Sequence, residues 1–474
     1  MTDLPDDIPS LKGLIQRLLD ENVQLKAENA ELKAENAQLK AEIAELRSRL
    51  GQNSANSHKP PSSDGYKKKT TRPGVPKEGN KRRGGQHGHQ GNTLKRVEHP
   101  DHLEVHRPQQ CTCCGRTFTA EEAQESSHSR QVFDLPPPKL EVTEHRLACV
   151  ECCGQSHLGT YPAQVTAPVQ YGPGVYSLVT TLSIDHRMPL EQISRLFADQ
   201  LGYELNSTTI ENALRLGYER AEPLEQQTIA AIKQEGLAHF DESGLRVEGR
   251  LQWLHVASTE HHTHLFLHEK RGKDALDSSA SILREFSGIA VHDCWSPYFE
   301  VTEARHVLCG AHLLRELQGL WENGSRWAED MHGFLLKLYR TPRPLNDAEQ
   351  ARVHYRLILD RADQQEPHPP PRQPGQRGRV KQSKGRNLLD RLRQHEQGVL
   401  AFAFKPSIPF TNNQAERDLR PAKVKQKVSG GFRTQAGARV YVRLQAVIST
   451  LRKQNINVFK ALRNLFSGLP ITAS

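Results

Sequence analysis

The chain has 474 residues, of which 36% are hydrophobic and 25% charged, and its formal net charge is +9. This length predicts several domains rather than one core. No apolar run approaches the roughly 20 residues that a membrane helix needs, and the acidic start is not the pattern of a signal peptide. We therefore expect a cytoplasmic protein with no membrane partner, in which eight cysteines serve a metal rather than disulfides.

The positive charge is concentrated in two stretches. Between Lys59 and Arg96, eleven Lys or Arg residues stand against two acidic residues, and between Arg417 and Lys453 ten stand against one. Concentrated cations suit phosphate binding because each one releases a condensed counterion. A solvated tail or a solvated helical face would explain either stretch alone. The two together favour a nucleic acid as partner.

Residues 1–50 carry a heptad repeat. Leucine occupies every seventh position, and the matching a positions hold Ile, Asn or Leu; the leucines are residues 11, 18, 25, 32, 39 and 46. Leucine at d with asparagine at a favours a parallel two-stranded coiled coil. The alternative, a single amphipathic helix, would leave the leucines uncovered. The repeat predicts a homo-oligomer.

Residues 51–107 follow as a segment rich in Pro, Gly, Ser, His and Lys, with no hydrophobic period. This composition is typical of a flexible basic linker. Within it, Lys81, Arg82 and Arg83 precede two glycines, a pattern that resembles the basic arms that enter a minor groove. We expect these three residues to contact DNA.

Two cysteine knuckles mark residues 108–160. Cys111 and Cys114 form one Cys-x-x-Cys pair and Cys149 and Cys152 form the other, with Cys153 as an alternative ligand. Four thiolates close a tetrahedral structural zinc site, which folds a small domain rather than catalysing a reaction. Free thiols clustered by chance are the alternative, and six of eight cysteines falling in two short segments argues against it.

Residues 161–235 have helical periodicity. An amphipathic segment from Pro189 to Leu201 ends at Gly202, and Asn206 or Ser207 then opens a second helix. This is the outline of a DNA-binding helix-turn-helix. An ordinary helical hairpin explains the same pattern.

Residues 236–322 change to strand periodicity. Strands are predicted at 237–240, leading to Asp241, and at 251–256 and 264–268, as an antiparallel meander. A helix over 273–286 precedes a buried strand over 288–293, with Asp293 at its C-terminal end. A further strand at 305–309 leads into a helix over 311–321. Antiparallel strands followed by alternating strands and helices predict a mixed α/β sheet.

The strand signal disappears over residues 323–409, where helices are predicted at 327–339, 347–364 and 386–402. We interpret this segment as a helical insertion. Residues 410–474 begin with a helix that carries Glu416, continue through the second basic stretch, and end in amphipathic helices at 438–451 and 458–465.

Three acidic residues stand out in these segments, and each has a bland alternative. Asp241 could begin a turn, Asp293 could cap the segment after its strand, and Glu416 could complete a capping box with Asn413 as N-cap. Together, carboxylates at strand ends and on a facing helix could bind hard divalent cations such as Mg²⁺. Spacing alone leaves both interpretations open.

Several motifs resemble a bacterial insertion-sequence transposase of the family numbered sixty-six, whose large protein is a DDE enzyme. The resemblance spans nearly the whole chain and rests on the zipper, the paired knuckles and the segments Lys59–Gly65, Gly84–Gly91, Phe240–Ser243, His292–Tyr298, Cys309–His312 and Asn412–Arg417. Ser243 stands where the family commonly has Thr, a conservative change. Cys309 and His312 resemble a C-x-x-H pair found near the core of several DDE groups, either structural or a second metal site.

The resemblance implies an RNase H-like core in which Asp241, Asp293 and Glu416 are catalytic and bind two Mg²⁺ or Mn²⁺ ions. Cleavage of DNA at transposon ends and strand transfer into target DNA would follow by phosphoryl transfer. The implied partners are end and target DNA, with small accessory proteins of the same element, in the nucleoid. Candidates to hold phosphates are Arg417, Arg420, Lys423, Lys427 and Arg433.

We therefore expect a multidomain α+β chain. Its parts are a coiled coil, a basic linker, a small zinc-binding domain, a helical DNA-binding region, and an RNase H-like core interrupted by a helical insertion; the core comprises residues 236–322 and 410–474 and the insertion residues 323–409. Two rival functions use fewer of these features. A zinc-dependent DNA-binding regulator would not need the three acidic residues, and a nuclease on the same core would cut without strand transfer.

Overall fold

The computed structural model describes residues 7–54, 56–57, 93–122, 128–345, 347–369, 371, 377–378 and 380–471. The predicted DNA contacts of Lys81, Arg82 and Arg83 lie outside these residues. The chain divides into two compact units, one formed by residues 1–66, 147–194 and 205–474, the other by residues 67–146 and 195–204.

Helix α1, Ile8–Leu50, confirms the helix of the heptad segment. Asp7 is its N-cap and accepts the Ser10 N–H at 2.9 Å. The leucine seam is exposed, with Leu25 at 59% and Leu32 at 57%. An uncovered seam of this length has its apolar face available to a second copy, and the coiled coil stays a prediction. Within the described residues, no helix is long and apolar enough to cross a membrane.

The second cysteine knuckle is a hairpin of β1, Cys149–Cys152, and β2, Gln155–Leu158, paired antiparallel. Cys153 and Gly154 form its tip with φ of 55° and 75°. Positive φ at both central residues is the requirement of a two-residue hairpin turn of type I′. The turn at Cys153 and Gly154 thus lets the strand that carries Cys149 and Cys152 pair with the strand that follows it.

The predicted helical region contains α2, Pro173–Thr180, α3, Leu190–Leu201, α4, Ser207–Arg220, and α5, Glu222–Gln234. Asn206 is the N-cap of α4, and its Oδ1 accepts the Thr208 N–H at 2.9 Å. These helices confirm the predicted pair around Gly202. A Cβ at Gly217 of α4 would lie 3.0 Å from the Phe466 ring, so α4 packs closely against the C-terminal part of the chain. DNA reading by this pair stays a prediction.

A five-stranded mixed sheet forms the centre of the larger unit. Its strands are β3, Leu237–Val247, β4, Arg250–Ser258, β5, Thr263–His268, β6, Ile289–His292, and β7, Arg305–Leu308, in the order β5-β4-β3-β6-β7. The first three pair antiparallel, and β6 joins β3 and β7 in parallel. The predicted mixed sheet is confirmed.

The segment between β5 and β6 differs from its prediction. The predicted helix over 273–286 is wrong: α6 covers Lys273–Leu276, and a separate single turn covers Leu283–Glu285. Ser278 Oγ donates to the Ala275 carbonyl at 2.7 Å, which offers the backbone an alternative to the helix. The chain then turns inward so that Phe286 meets Phe240, ring centroids 5.5 Å apart.

The helical insertion packs as one core with the parallel edge of the sheet. After α7, Gly310–Trp321, it contains α8, Arg326–Arg340, α9, Ala348–Gln365, α10, Lys384–Gln394, and α11, Glu396–Phe404. Val291 and Val307 of the sheet share a buried cluster with Trp327, Leu335 and Leu389 of these helices. The single helix predicted over 386–402 is wrong, because the chain breaks at His395, whose ring stacks on Phe299 at 3.9 Å.

Three C-terminal helices complete the fold: α12, Asn413–Ser429, α13, Gln435–Lys453, and α14, Val458–Ser467. They confirm the predicted helices. Buried Asp418 of α12 accepts hydrogen bonds from Ser258 at 2.7 Å, Thr263 at 3.0 Å and Lys453 at 2.7 Å. This carboxylate fastens α12 and α13 to the antiparallel strands.

Candidate active site

Asp241 lies on β3, and Asp293 directly follows the neighbouring parallel strand β6. The register of β3 and β6 runs from Leu237 opposite Ile289 to His239 opposite Val291, and each aspartate comes two residues later. Neighbouring strands are about 4.8 Å apart, so the two residues reach the same level beyond the end of β6. The sequence predicted Asp293 at a strand end, and the register adds that Asp241 stands beside it.

The environment of Asp241 is electrostatically unusual. Burial raises the pKa of Asp241 well above its ordinary range, and the carboxylates of Glu242, Asp293 and Glu416 raise it further. Like charges held together in a desolvated place favour the protonated form. Asp241 therefore lies among acidic groups whose negative charges oppose its own ionisation.

The local alternatives for the two aspartates have different outcomes. The turn at Asp241 is wrong, because residues 241–244 are strand residues paired with β4. Asp293 does cap the following segment, since its Oδ1 accepts the Trp295 N–H at 2.9 Å. Asp241 Oδ1 accepts the Glu242 N–H at the same distance. One oxygen of each aspartate is thus held by the backbone.

Glu416 points towards α7. Helix α12 begins at Asn413, and its N-cap is Asn412, so the alternative of a capping box with Asn413 as N-cap is wrong. Glu416 Oε1 lies 3.9 Å from His312 Nδ1 and 3.9 Å from an Arg315 guanidinium nitrogen. Within the described residues this buried oxygen has no hydrogen-bond partner. The side chain is therefore directed away from its own helix.

Cys309, His312 and Glu416 form a compact group, with one ligand atom of each residue within 4.8 Å of the others. In the part of the chain that the structure describes, this is the one such group of three His, Cys or acidic residues, and Asp241 and Asp293 are not members of it. Burial raises the pKa of the Cys309 thiol, while hydrogen bonding from the Asn412 backbone acts in the opposite direction. The C-x-x-H pair of Cys309 and His312 therefore lies close to Glu416, a predicted catalytic residue.

Asn412 joins the elements that carry these residues, although its only role in the sequence analysis was as a position of a motif. It is fully buried. Its side chain contacts His239 Nδ1 at 2.8 Å and donates to the Phe240 carbonyl at 2.8 Å, while its backbone N–H donates to Cys309 Sγ at 3.2 Å. Asn412 therefore fixes the start of α12 against β3 and the start of α7.

Glu242 is a second residue that sequence reasoning missed. Its side chain is 1% exposed and accepts hydrogen bonds from Tyr298 and, at 2.8 Å, from Arg271. The Arg271 guanidinium also lies over the rings of Trp253 and Trp295. The segments Phe240–Ser243 and His292–Tyr298 contain Glu242 and Tyr298, so those motifs were the available signal.

The predicted phosphate contacts on α12 form an exposed stripe. Positions 416, 420, 423 and 427 are spaced by four, three and four residues, which places Glu416, Arg420, Lys423 and Lys427 on one helical face. Arg417 and Arg433 are also exposed. Lys423 donates to the Gly244 carbonyl, and burial of its ammonium lowers the pKa of Lys423. Lys423 is thus the member of the stripe that the sheet engages.

The knuckle cysteines are mostly exposed, as Cys114, Cys149, Cys152 and Cys153 are. Backbone N–H groups of the first knuckle lower the pKa of Cys111, which favours the thiolate that a metal needs. In the second knuckle the sulfurs of Cys152 and Cys153 are 3.5 Å apart. Zinc binding stays a prediction.

Comparisons with known proteins identify the family of the chain. A family model described as "Transposase IS66 family" matches residues 168–440, more than half of the chain and all three predicted acidic residues. A family of unknown function (DUF6444) matches residues 8–95. No curated protein matches the chain. A transposase acts on DNA, so DNA is the partner that the basic stretches indicated. The chain belongs to the IS66 transposase family.

Proposed function

We propose that the chain cleaves DNA at transposon ends and transfers the strands to target DNA, with Asp241, Asp293 and Glu416 as the metal-binding carboxylates. The observation that carries the proposal is the register that sets Asp241 level with Asp293 on adjacent parallel strands. Glu242, Asp293 and Glu416 all raise the pKa of Asp241, which indicates a shared electrostatic environment. The sheet of three antiparallel and two parallel strands supports an RNase H-like core.

The residues fit a divalent metal. A buried carboxylate cluster is stabilised by a cation. The Glu416 Oε1 atom, which has no hydrogen-bond partner among the residues that the structure describes, is an oxygen ligand of the type that Mg²⁺ or Mn²⁺ prefers. Two such ions per site, when bound, would supply the positive charge that activates water and stabilises a reacting phosphodiester.

The chain itself positions the reacting groups. Asp241 lies within a strand bonded on both sides, and the Trp295 N–H holds one oxygen of Asp293. Asn412 anchors the start of the helix that carries Glu416. Because the three carboxylates lie on separate but mutually anchored elements, they can hold a fixed geometry while DNA binds.

The basic residues of α12 would deliver DNA to these carboxylates. The stripe of Arg420, Lys423 and Lys427 begins at Glu416 and continues along the same face. A phosphate backbone that follows this stripe would pass Glu416, with Arg417 and Arg433 adding exposed cations. Lys423 would exchange its Gly244 bond for a phosphate.

The remaining features have supporting parts in this proposal. The exposed leucine seam of α1 would join two copies of the chain, the knuckles would hold a structural zinc ion, and the paired helices around Gly202 would contact DNA. Small accessory proteins of the same element would assist the reaction in the nucleoid. Self-association is supported by the uncovered apolar seam.

The test uses purified full chain, labelled transposon-end DNA, a target plasmid and Mg²⁺ or Mn²⁺. Joined products should form, and Asp293→Ala should remove them while DNA binding is retained. Asp274→Ala, which changes an exposed acidic residue of the same core, is the matched control. Cutting without joining would indicate a nuclease instead. Unchanged products after replacement of all three carboxylates would contradict the proposal, and DNA binding by wild type with no products at all would favour a regulator.

A further inference from the structure

Three side chains of different chemistry meet where α7 and α12 begin. Cys309 precedes α7, His312 lies in its first turn, and Glu416 lies in the first turn of α12. Their ligand atoms are within 4.8 Å of one another. Zinc bonds to sulfur, nitrogen and oxygen place tetrahedral ligand atoms about 3.3–3.6 Å apart. The His312–Glu416 distance of 3.9 Å would contract by roughly 0.5 Å to reach that geometry.

The mixture of ligand types selects the metal. Thiolate and imidazole suit zinc, whereas magnesium takes oxygen ligands. We infer that Cys309, His312 and Glu416 bind one Zn²⁺ ion, distinct from the magnesium site proposed above although the two share Glu416. Three protein ligands leave a fourth position for water.

The surroundings suit such an ion. Cys309 is fully buried, and the Asn412 N–H at 3.2 Å from its sulfur would stabilise a thiolate. The side chains of His312 and Glu416 are 13% and 27% exposed, which gives an ion a path from solvent. Arg315 faces the same Glu416 oxygen at 3.9 Å, and its side chain is 30% exposed. Its guanidinium would balance Glu416 without the ion and move aside when the ion binds.

The shared ligand has a consequence that rests on the proposed function. A zinc ion at this site would hold the Glu416 carboxylate beside α7 and away from Asp241 and Asp293. Zinc would therefore inhibit magnesium-dependent strand transfer in the wild-type chain. The site would act as a metal-controlled restraint on one catalytic carboxylate.

The direct test measures zinc content. Full-length protein would be equilibrated in Zn²⁺ buffers of increasing free concentration, and bound zinc per chain would be measured by elemental mass spectrometry. We expect wild type to hold one more ion per chain than Cys309→Ser, His312→Gln or Glu416→Gln. Cys294→Ser is the matched control, because this thiol of the same core lies outside the group. Any zinc bound at the knuckles would contribute equally to every variant.

Thermal unfolding followed by circular dichroism identifies folded variants. If Cys309→Ser does not fold, His312→Gln and Glu416→Gln decide, because their side chains reach the surface. Equal zinc content in wild type and these variants would overturn the site. Loss of the same ion in Cys294→Ser would overturn its assignment to this group.

The zinc site and the proposed function can fail separately. Asp241→Asn and Asp293→Asn should lose strand transfer and keep the extra zinc ion. If these two variants stay active, the catalytic proposal fails while the zinc measurement stands. If they are inactive but the variants of the group bind as much zinc as wild type, the zinc site alone fails.

Discussion

Asn412→Ala tests the anchoring of the proposed active site. The substitution removes two side-chain hydrogen bonds of 2.8 Å, one to His239 and one to the Phe240 carbonyl. Both partners directly precede Asp241 on β3. We expect a less stable core and a reduced rate of strand transfer, because the start of α12 loses its side-chain bonds to that strand.

The size of the effect follows from the buried groups left behind. An unsatisfied buried donor or acceptor costs about 1–3 kcal/mol, so two of them cost about 2–6 kcal/mol. Domains are commonly stable by about 5–15 kcal/mol, so the loss is a large part of the total. Because Asn412 is fully buried, a water molecule that took the place of its amide would have little room to restore the two hydrogen bonds.

Urea unfolding followed by tryptophan fluorescence measures this loss, since Trp327 is buried in the same core as Phe410. Asn413→Ala is the matched control, because Asn413 is exposed at the first position of α12. The control should change the free energy of unfolding by less than about 0.5 kcal/mol. Equal unfolding curves for the two variants would refute the anchoring role of Asn412.

Three further predictions concern other parts of the chain. Leu32→Glu should convert an oligomer to monomer in light scattering, and an unchanged mass would exclude the predicted coiled coil. Asp418→Asn leaves the buried Lys453 ammonium without its carboxylate and should lower the free energy of unfolding by about 3–5 kcal/mol, measured as a lower melting temperature. An unchanged melting temperature would contradict the stabilising role of Asp418. Burial lowers the pKa of His255 from 6.5 to about 4, so only the unfolded chain gains this proton between those values. The free energy of unfolding should decrease as the pH is lowered across that window, by up to about 1.4 kcal/mol per pH unit. In urea titrations at several pH values, His255→Gln should reduce this pH dependence, and an equal pH dependence in wild type and variant would contradict a contribution from His255.

The fold was predictable where local periodicity and packing agree. The short apolar run ending at Asp293 became a buried strand because both of its faces are covered. The alternative of a turn beginning at Asp241 is consistent with the local residue types, but pairing with β4 overrides that preference. Gly244 lies opposite Trp253, and a Cβ there would come within 2.9 Å of the Leu251 side chain. This glycine serves close packing within a strand rather than a turn.

The contacts that organise the site were not predictable from one sequence. Asn412 and Asp418 have the residue types of caps and solvated surface, yet each is buried and bonded to strands more than 150 positions away. Such pairings depend on how the elements assemble, which periodicity does not contain. The approach of Glu416 to His312 was unpredictable for the same reason, because the two residues lie at the starts of separate helices that only the tertiary structure brings together. The zinc knuckles and the coiled coil stay predictions because a metal ion or a second chain completes each.

Strand transfer by Asp293→Cys in Mg²⁺ and in Mn²⁺ tests metal binding by the three carboxylates most directly. A thiolate is a poor ligand for magnesium and a better one for softer metals. If Asp293 binds the metal, this variant should be inactive in Mg²⁺ and regain joined products in Mn²⁺, while wild type is active in both. Full activity of the variant in both metals would contradict metal binding by Asp293.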